Sequence, residues 1–200
     1  YFKEIEYLDV GGGFSSEMPK ELKSQFDYDI PVFDDYAKAI CEPLNDFFKD
    51  SKNKPMLILE PGSALVANVL NFAAKVTSIK KIDEKLIVHV DGSKYNFNAN
   101  SKRHINLPYL VYNLNQSSNN KTEVCDVAGF TCIETDYLLK DVSICVNVND
   151  FVIIENVGSY SFVMKPPFIL PNYPIIEFNN KVEILKEKED FNYIFQTFNF

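Results

Sequence analysis

The sequence predicts an α/β segment followed by an all-β domain. Two observations carry this reading: a strand–helix–strand run within residues 1–62, and a later change of texture into short strands separated by polar turns. The chain can also pack a core, since 46% of its 200 residues are hydrophobic and 14% aromatic, a balance that argues against global disorder.

Residues Glu4–Val10 read as a strand that stops at Gly11, Gly12 and Gly13. Over Val32–Lys49, apolar residues recur at helical spacing: Tyr36, Ile40, Leu44, Phe47 and Phe48. Asp34 and Asp35 fall in the first turn, where they suit the helix dipole. Pro43 is expected to bend or split this helix. Met56–Leu59 is a short apolar strand of the kind buried on both faces of a parallel sheet, closed by Glu60-Pro61-Gly62. The sum is a βαβ unit. Beyond it, Val76–Ser78, Leu86–Val90, Ile144–Val148 and Phe151–Glu155 read as strands of an antiparallel β domain. Turns are signalled at Asp83-Glu84-Lys85 and Asn147–Asp150, and a polar loop at Ser117–Lys121. Ile175–Phe178 adds a further strand, and Lys186–Asp190 a charged turn before an aromatic-rich terminus.

The formal charge is −8 and the isoelectric point about 4.8. That disfavours nucleic acid as a partner, because phosphate-backbone binding draws on Lys and Arg. It leaves room for one small anion held by backbone N–H groups. Cys41, Cys125, Cys132 and Cys145 form no CxxC pair, and His89 and His104 stand apart from them, so no metal site is expected. These cysteines read as reduced thiols of a cytoplasmic protein. No apolar run is long enough for a membrane helix, and no signal peptide is expected. The chain opens at Tyr1 rather than Met, and an upstream portion of the natural protein is expected.

Four short stretches bear on chemistry. Gly11-Gly12-Gly13 is either a tight turn against a neighbour or a nest of N–H groups for a phosphate. It fits neither the Rossmann nor the Walker pattern. Glu60 sits at the C-terminal end of a buried strand, the end at which β/α barrels carry their functional residues. Gly129-Phe130-Thr131-Cys132-Ile133-Glu134-Thr135-Asp136 places a thiol between a glycine turn and two acids. Such a thiol is either a buried small hydrophobe or a neutral proton donor on an exposed loop. Gly158-Ser159-Tyr160 places a phenol after a glycine.

The order of these four stretches resembles the series found in fold-type III pyridoxal-phosphate decarboxylases, the family of ornithine, diaminopimelate and arginine decarboxylases. The likeness runs over essentially the whole chain and matches the second half of that family. It implies the last strands of a (β/α)8 TIM-like barrel over residues 1–75. Residues 76–200 would then form a C-terminal antiparallel β-barrel or sandwich returning to the barrel rim. It also implies pyridoxal 5'-phosphate as cofactor. By similarity Gly11, Gly12, Gly13 and Gly62 present N–H groups to its phosphate, and Ser63 and Tyr160 add hydroxyls. Glu60 would keep the pyridine nitrogen protonated, and a positively charged ring is the better electron sink. Cys132 would protonate the substrate carbon across the interface of a homodimer.

Departures from the family pattern concern the substrate. Ser63 stands where the family usually has an arginine. Ile133 occupies the position of an amine-binding acid, with Glu134 and Asp136 beyond it. Asn113 replaces a second such acid, and Leu107-Pro108 precedes Tyr112 without the arginine that binds a distal carboxylate. Ile133, Glu134, Asp136, Tyr112 and Asn113 are therefore the candidate substrate contacts. A non-standard or conjugated amino acid is the expected substrate, because an unpaired buried charge costs several kcal/mol. The lysine that anchors the cofactor in this family has no counterpart in the chain. The competing reading is a catalytically silent relative that pairs with a decarboxylase and regulates it.

Overall fold

The computed structural model describes residues 5–97, 104–114 and 121–199. Its first part is the expected βαβ unit. Strand β1 (Tyr7–Asp9) and strand β2 (Met56–Ile58) pair in parallel, Tyr7 opposite Met56. The ladder continues past both ends, with the Met56 amide donating to the Glu6 carbonyl and the Val10 amide to the Ile58 carbonyl. A short helix α1 (Lys20–Lys23) and the long helix α2 (Phe33–Phe47) lie between them. Asp35 fastens the start of α2 by accepting the Val32 amide at 3.0 Å. Tyr36, Ile40, Leu44 and Phe48 form one half-buried stripe. They are spaced by four, so they share a face. Of the two expected outcomes, a bend or a split, the split does not occur: α2 runs unbroken through Pro43. Its missing N–H forfeits only one bond in the last turn, and the helix ends four residues later.

Past β2 come a single helical turn α3 (Ser63–Val66) and a 3-10 turn (Ala67–Val69). A six-stranded sheet follows, in the order β5-β8-β3-β4-β6-β7. Its strands are β3 (Phe72–Ile82), β4 (Lys85–Val90), β5 (Tyr109–Tyr112), β6 (Glu123–Ala128), β7 (Tyr137–Ile144) and β8 (Phe151–Ile154). Ala74, Val76, Val88, Val127, Leu139, Val152 and Ile154 are completely buried and form the core. The hairpin β3–β4 turns at Asp83, whose φ is +54°.

The sheet is mixed, not antiparallel as expected, since β4 and β6 run parallel with Leu86 opposite Cys125. A parallel pair cannot be joined by a tight hairpin, and β5 comes between β4 and β6 in the chain. The expected strand Ile144–Val148 is also corrected, because β7 ends at Ile144. Asp150 pulls the next residues into a turn: its carboxylate accepts the Asn147 amide at 2.8 Å, and its own amide donates to the Asn147 carbonyl. The expected Ser117–Lys121 loop lies outside the described residues except for Lys121.

One buried carboxylate of the sheet is ion-paired. Asp126, on β6, takes Lys85 at 2.7 Å and the Asp141 amide at 2.8 Å. The hydrogen bond to Asp126 raises the Lys85 pKa, outweighing desolvation, which lowers it. After β8 the chain forms α4 (Ser161–Met164), then the hairpin β9 (Ile175–Phe178) and β10 (Val182–Lys186), and a last turn α5 (Phe191–Phe195). Asp190 caps α5 by accepting the Tyr193 amide at 2.7 Å.

Candidate active site

The three glycines form the rim at the C-terminal ends of β1 and β2. Gly11 and Gly13 have φ of +71° and +85°, in the region that disfavours side chains. Gly12 is fixed for a different reason: a Cβ there would lie 2.5 Å from the Glu60 carbonyl oxygen. The Glu60 amide donates to the Gly11 carbonyl at 2.8 Å, and the Gly11 amide donates to Asp9 Oδ1 at 2.8 Å. The glycine loop and the Glu60 turn are thus locked together through backbone alone. A Cβ at Gly11 or at Gly13 would meet nothing within 4 Å, so the space beside them is open. Glu60 itself is exposed.

Tyr160 reaches this rim from the end of the sheet domain. A Cβ on Gly62 would lie 3.6 Å from the Tyr160 hydroxyl. Tyr160 sits at φ +61° and is 63% exposed, an uncommon backbone state for a large side chain that clusters at functional sites. Two backbone bonds deliver it: the Val157 amide donates to the Leu70 carbonyl and the Gly158 amide to the Ala67 carbonyl. Gly158 is pressed so closely to Val66 that a Cβ would stand 1.8 Å from its carbonyl oxygen.

The Cys132 loop, between β6 and β7, is organised by side chains instead. Asp136 is 3% exposed. It accepts from Ser93 Oγ at 2.8 Å, the Lys94 amide at 2.9 Å, Thr131 Oγ1 at 2.7 Å and the Thr131 amide at 3.1 Å. Its carboxylate also packs against Gly129, where any Cβ would clash at 2.3 Å. A further bond joins Tyr95 Oη and Thr135 Oγ1. The outcome is a loop clamped at Thr131 and Asp136 that leaves Cys132, Ile133 and Glu134 exposed. Cys125 is a useful contrast: burial, followed by Asp126 and Glu123, pushes its thiol up to about 11. That thiol is a core residue.

The structure therefore brings Gly11, Gly12, Gly13, Glu60, Gly62 and Tyr160 together, with Ser63 opening α3 beside them. The expected substrate contacts divide. Ile133 and Glu134 are exposed beside Cys132, and Tyr112 is exposed on β5. Asp136 spends Oδ2 on Thr131 within the loop and Oδ1 on Ser93 and Lys94 outside it. Asn113 donates to Asp150 Oδ2 at 2.7 Å and to the Cys145 carbonyl, holding β5 to the turn before β8. Sequence reasoning missed Gly158 as a contact point and Ser93 as a partner of Asp136. A buried serine distant in sequence gives no local signal, whereas Gly158 already stood in the motif that carries Tyr160. Among the described residues no group of His, Cys, Asp and Glu could hold a metal ion, and no helix is long and apolar enough to cross a membrane.

A backbone rim at the ends of parallel strands is thus joined to a mixed sheet that returns a tyrosine to it. The family described as "Pyridoxal-dependent decarboxylase, C-terminal sheet domain" matches residues 28–158, and the chain belongs to that family. It is 29% identical over 193 residues to diaminopimelate decarboxylase of Methanocaldococcus jannaschii, covering 94% of this chain and 41% of that protein. With the Aquifex aeolicus enzyme of the same name it shares 25% identity over 198 residues, covering 96% of this chain and 43% of that one. The crystal structure of the M. jannaschii enzyme superposes with a TM-score of 0.79 at 26% identity, covering 96% of this chain and 43% of that one. That of the Helicobacter pylori enzyme complexed with L-lysine gives 0.75 at 25% identity, over 96% and 44%. The chain spans less than half the length of the relatives it matches.

Proposed function

We propose that the protein to which this chain belongs is a pyridoxal-phosphate-dependent amino-acid decarboxylase. The observation that carries this is the convergence at one rim of the glycine loop, the Glu60 turn and the Tyr160 hydroxyl. The residues present fit the cofactor: open space flanks Gly11 and Gly13, and an exposed carboxylate stands next to them. Residues 1–75 would complete a (β/α)8 barrel, and residues 76–200 form the domain that carries the cysteine loop and returns to the rim.

When bound, the cofactor supplies an electron sink for the pair released as CO₂ departs. The rest falls to side chains and amides. The Gly12, Gly13 and Gly62 N–H groups and the Ser63 hydroxyl bind the phosphate, the Gly11 amide being taken by Asp9 contrary to its expected role, and with no arginine at position 63 the amides carry more of that load. The Glu60 carboxylate accepts a hydrogen bond from the pyridine N–H and holds the proton there, as an adjacent anion favours a protonated base. The Tyr160 hydroxyl fixes the cofactor's orientation. The Cys132 thiol, supplied by a second copy in a homodimer, returns a proton to the carbon that lost CO₂. The exposed, clamped loop suits that task.

The H. pylori relative is seen with L-lysine, yet this chain places no cation at Leu107 and no acid at Ile133. The reading is therefore a substrate whose distal end is masked, such as a conjugated amino acid, in the cytoplasm. CO₂ release by the full-length protein from meso-diaminopimelate, L-ornithine, L-arginine and their N-acylated forms tests it. Faster turnover of an acylated form supports the masked end. Faster turnover of free diaminopimelate removes it, and no release from any of them counts for the silent regulatory relative.

A further inference from the structure

A cavity of about 310 Å³ lies where the start of β3, the 3-10 turn Lys94–Asn96, α4 and β9 meet. Its wall is mostly apolar, with Phe72, Phe97, Phe162 and Ile175 among its residues, and one cationic side chain, Lys165, lines it. Two of the polar groups beside it are committed elsewhere. Ser161 Oγ shares its one proton between the carbonyls of Phe97 and Val157, and the Tyr173 hydroxyl donates to the Asp91 carbonyl. Lys165 is not committed. It is half-buried, and the ion pairs of its neighbourhood go to Lys186, which holds Glu189 at 2.8 Å. Among the described residues no carboxylate lies within ion-pair distance of Lys165.

A half-buried ammonium without a counter-ion, at the wall of an apolar chamber, is costly unless something anionic meets it. Small-molecule sites have this composition: an apolar lining with few polar groups that fix orientation. We propose that the cavity binds a small amphiphilic carboxylate, its apolar body against Phe72, Phe97 and Ile175 and its carboxylate on the Lys165 ammonium. The volume lies at the lower end of the range of small-molecule sites, about 300–1,000 Å³. Desolvation, then Lys186, holds the Lys165 pKa below its ordinary value, with Glu189 opposing; that is the state of an amine that lacks a partner. Nothing in this inference depends on the cofactor site.

Octanoate is a probe of the right size. Titrated calorimetrically into the full-length protein with its cofactor bound, it should saturate one site per chain. Octanol, with the same body and no charge, should bind at least about tenfold more weakly. Lys165→Met should bring octanoate down to the octanol level, and Lys165→Arg should restore it. The proposal is overturned if octanoate gives no saturable heat up to about 10 mM. It is equally overturned if Lys165→Met binds octanoate as tightly as the unaltered protein, or if octanol binds as well as octanoate. Because the unaltered protein alone can refute it, a poorly folding variant does not shield it.

Discussion

The glycine rim and the cysteine loop are built from opposite materials. At the rim, position is set by backbone: Gly12 against the Glu60 carbonyl, the Glu60 amide on the Gly11 carbonyl, and only half-buried side chains beneath, in the stripe Tyr36, Ile40, Leu44 and Phe48. At the loop, one buried carboxylate gathers Ser93, Lys94 and Thr131 on top of a core whose central residues are fully buried. The contrast follows from what we propose each does. Amides can approach a phosphate more closely than any side chain, so the rim must be bare. A proton-donating thiol has to be presented at one height and angle, so its loop must be rigid while its tip stays exposed.

The contrast can be broken at its joint. Gly158 is where the sheet domain meets the rim, and a methyl group there would collide with the Val66 carbonyl at 1.8 Å. Backbone must move, so Gly158→Ala should cost about 3 kcal/mol, read as a lower midpoint in chemical unfolding. An unchanged midpoint would mean that the two parts do not touch as described.

Next in size is the loop's hub. Asp136→Ala leaves Ser93 and Thr131 with buried donors unmatched and should cost about 2–4 kcal/mol. Asp136→Asn, which keeps one acceptor, should cost less. Hydrogen exchange should rise at Thr131–Thr135 in both variants and stay unaltered at Gly11–Gly13. Equal loosening of the two regions would erase the distinction between them.

The smallest effect concerns pH. Burial pushes the Asp150 carboxyl up, but hydrogen bonds from the Asn113 side chain and the Asn147 and Leu114 amides outweigh it, leaving its pKa lowered. A carboxyl depressed on folding adds stability that is complete above its unfolded value, about 3.9, and is lost as pH falls through the folded value. Unfolding midpoints followed downward from pH 5 should therefore drop, and Asn113→Ala should flatten that drop.

Much of the rim was legible in the sequence, because its devices are local. Consecutive glycines after a strand, and Glu-Pro-Gly after another, announce themselves at short range. The βαβ unit followed from the spacing of Tyr36, Ile40, Leu44 and Phe48 and from the apolar run Met56–Leu59. The sheet was less legible. Its parallel pair β4–β6 depends on a crossover that no local pattern marks, and β6 hides a buried Asp126 whose partner Lys85 lies on another strand. The loop was half legible: Cys132 stood out, whereas Asp136 passed for a substrate contact because its partners, Ser93 and Lys94, arrive from more than forty residues away. Asn113 was hidden in the same way, by a bond to Asp150.

The dissociation constant of pyridoxal phosphate for the full-length protein bearing Gly12→Ala, set against that of Cys132→Ala, tests the division of labour most directly. Gly12→Ala should weaken cofactor binding about a hundredfold through displaced amides, whereas Cys132→Ala should leave it as it was and abolish normal decarboxylation. If Gly12→Ala binds the cofactor as tightly as the unaltered protein, or Cys132→Ala is the variant that loses it, the backbone rim is not the phosphate site.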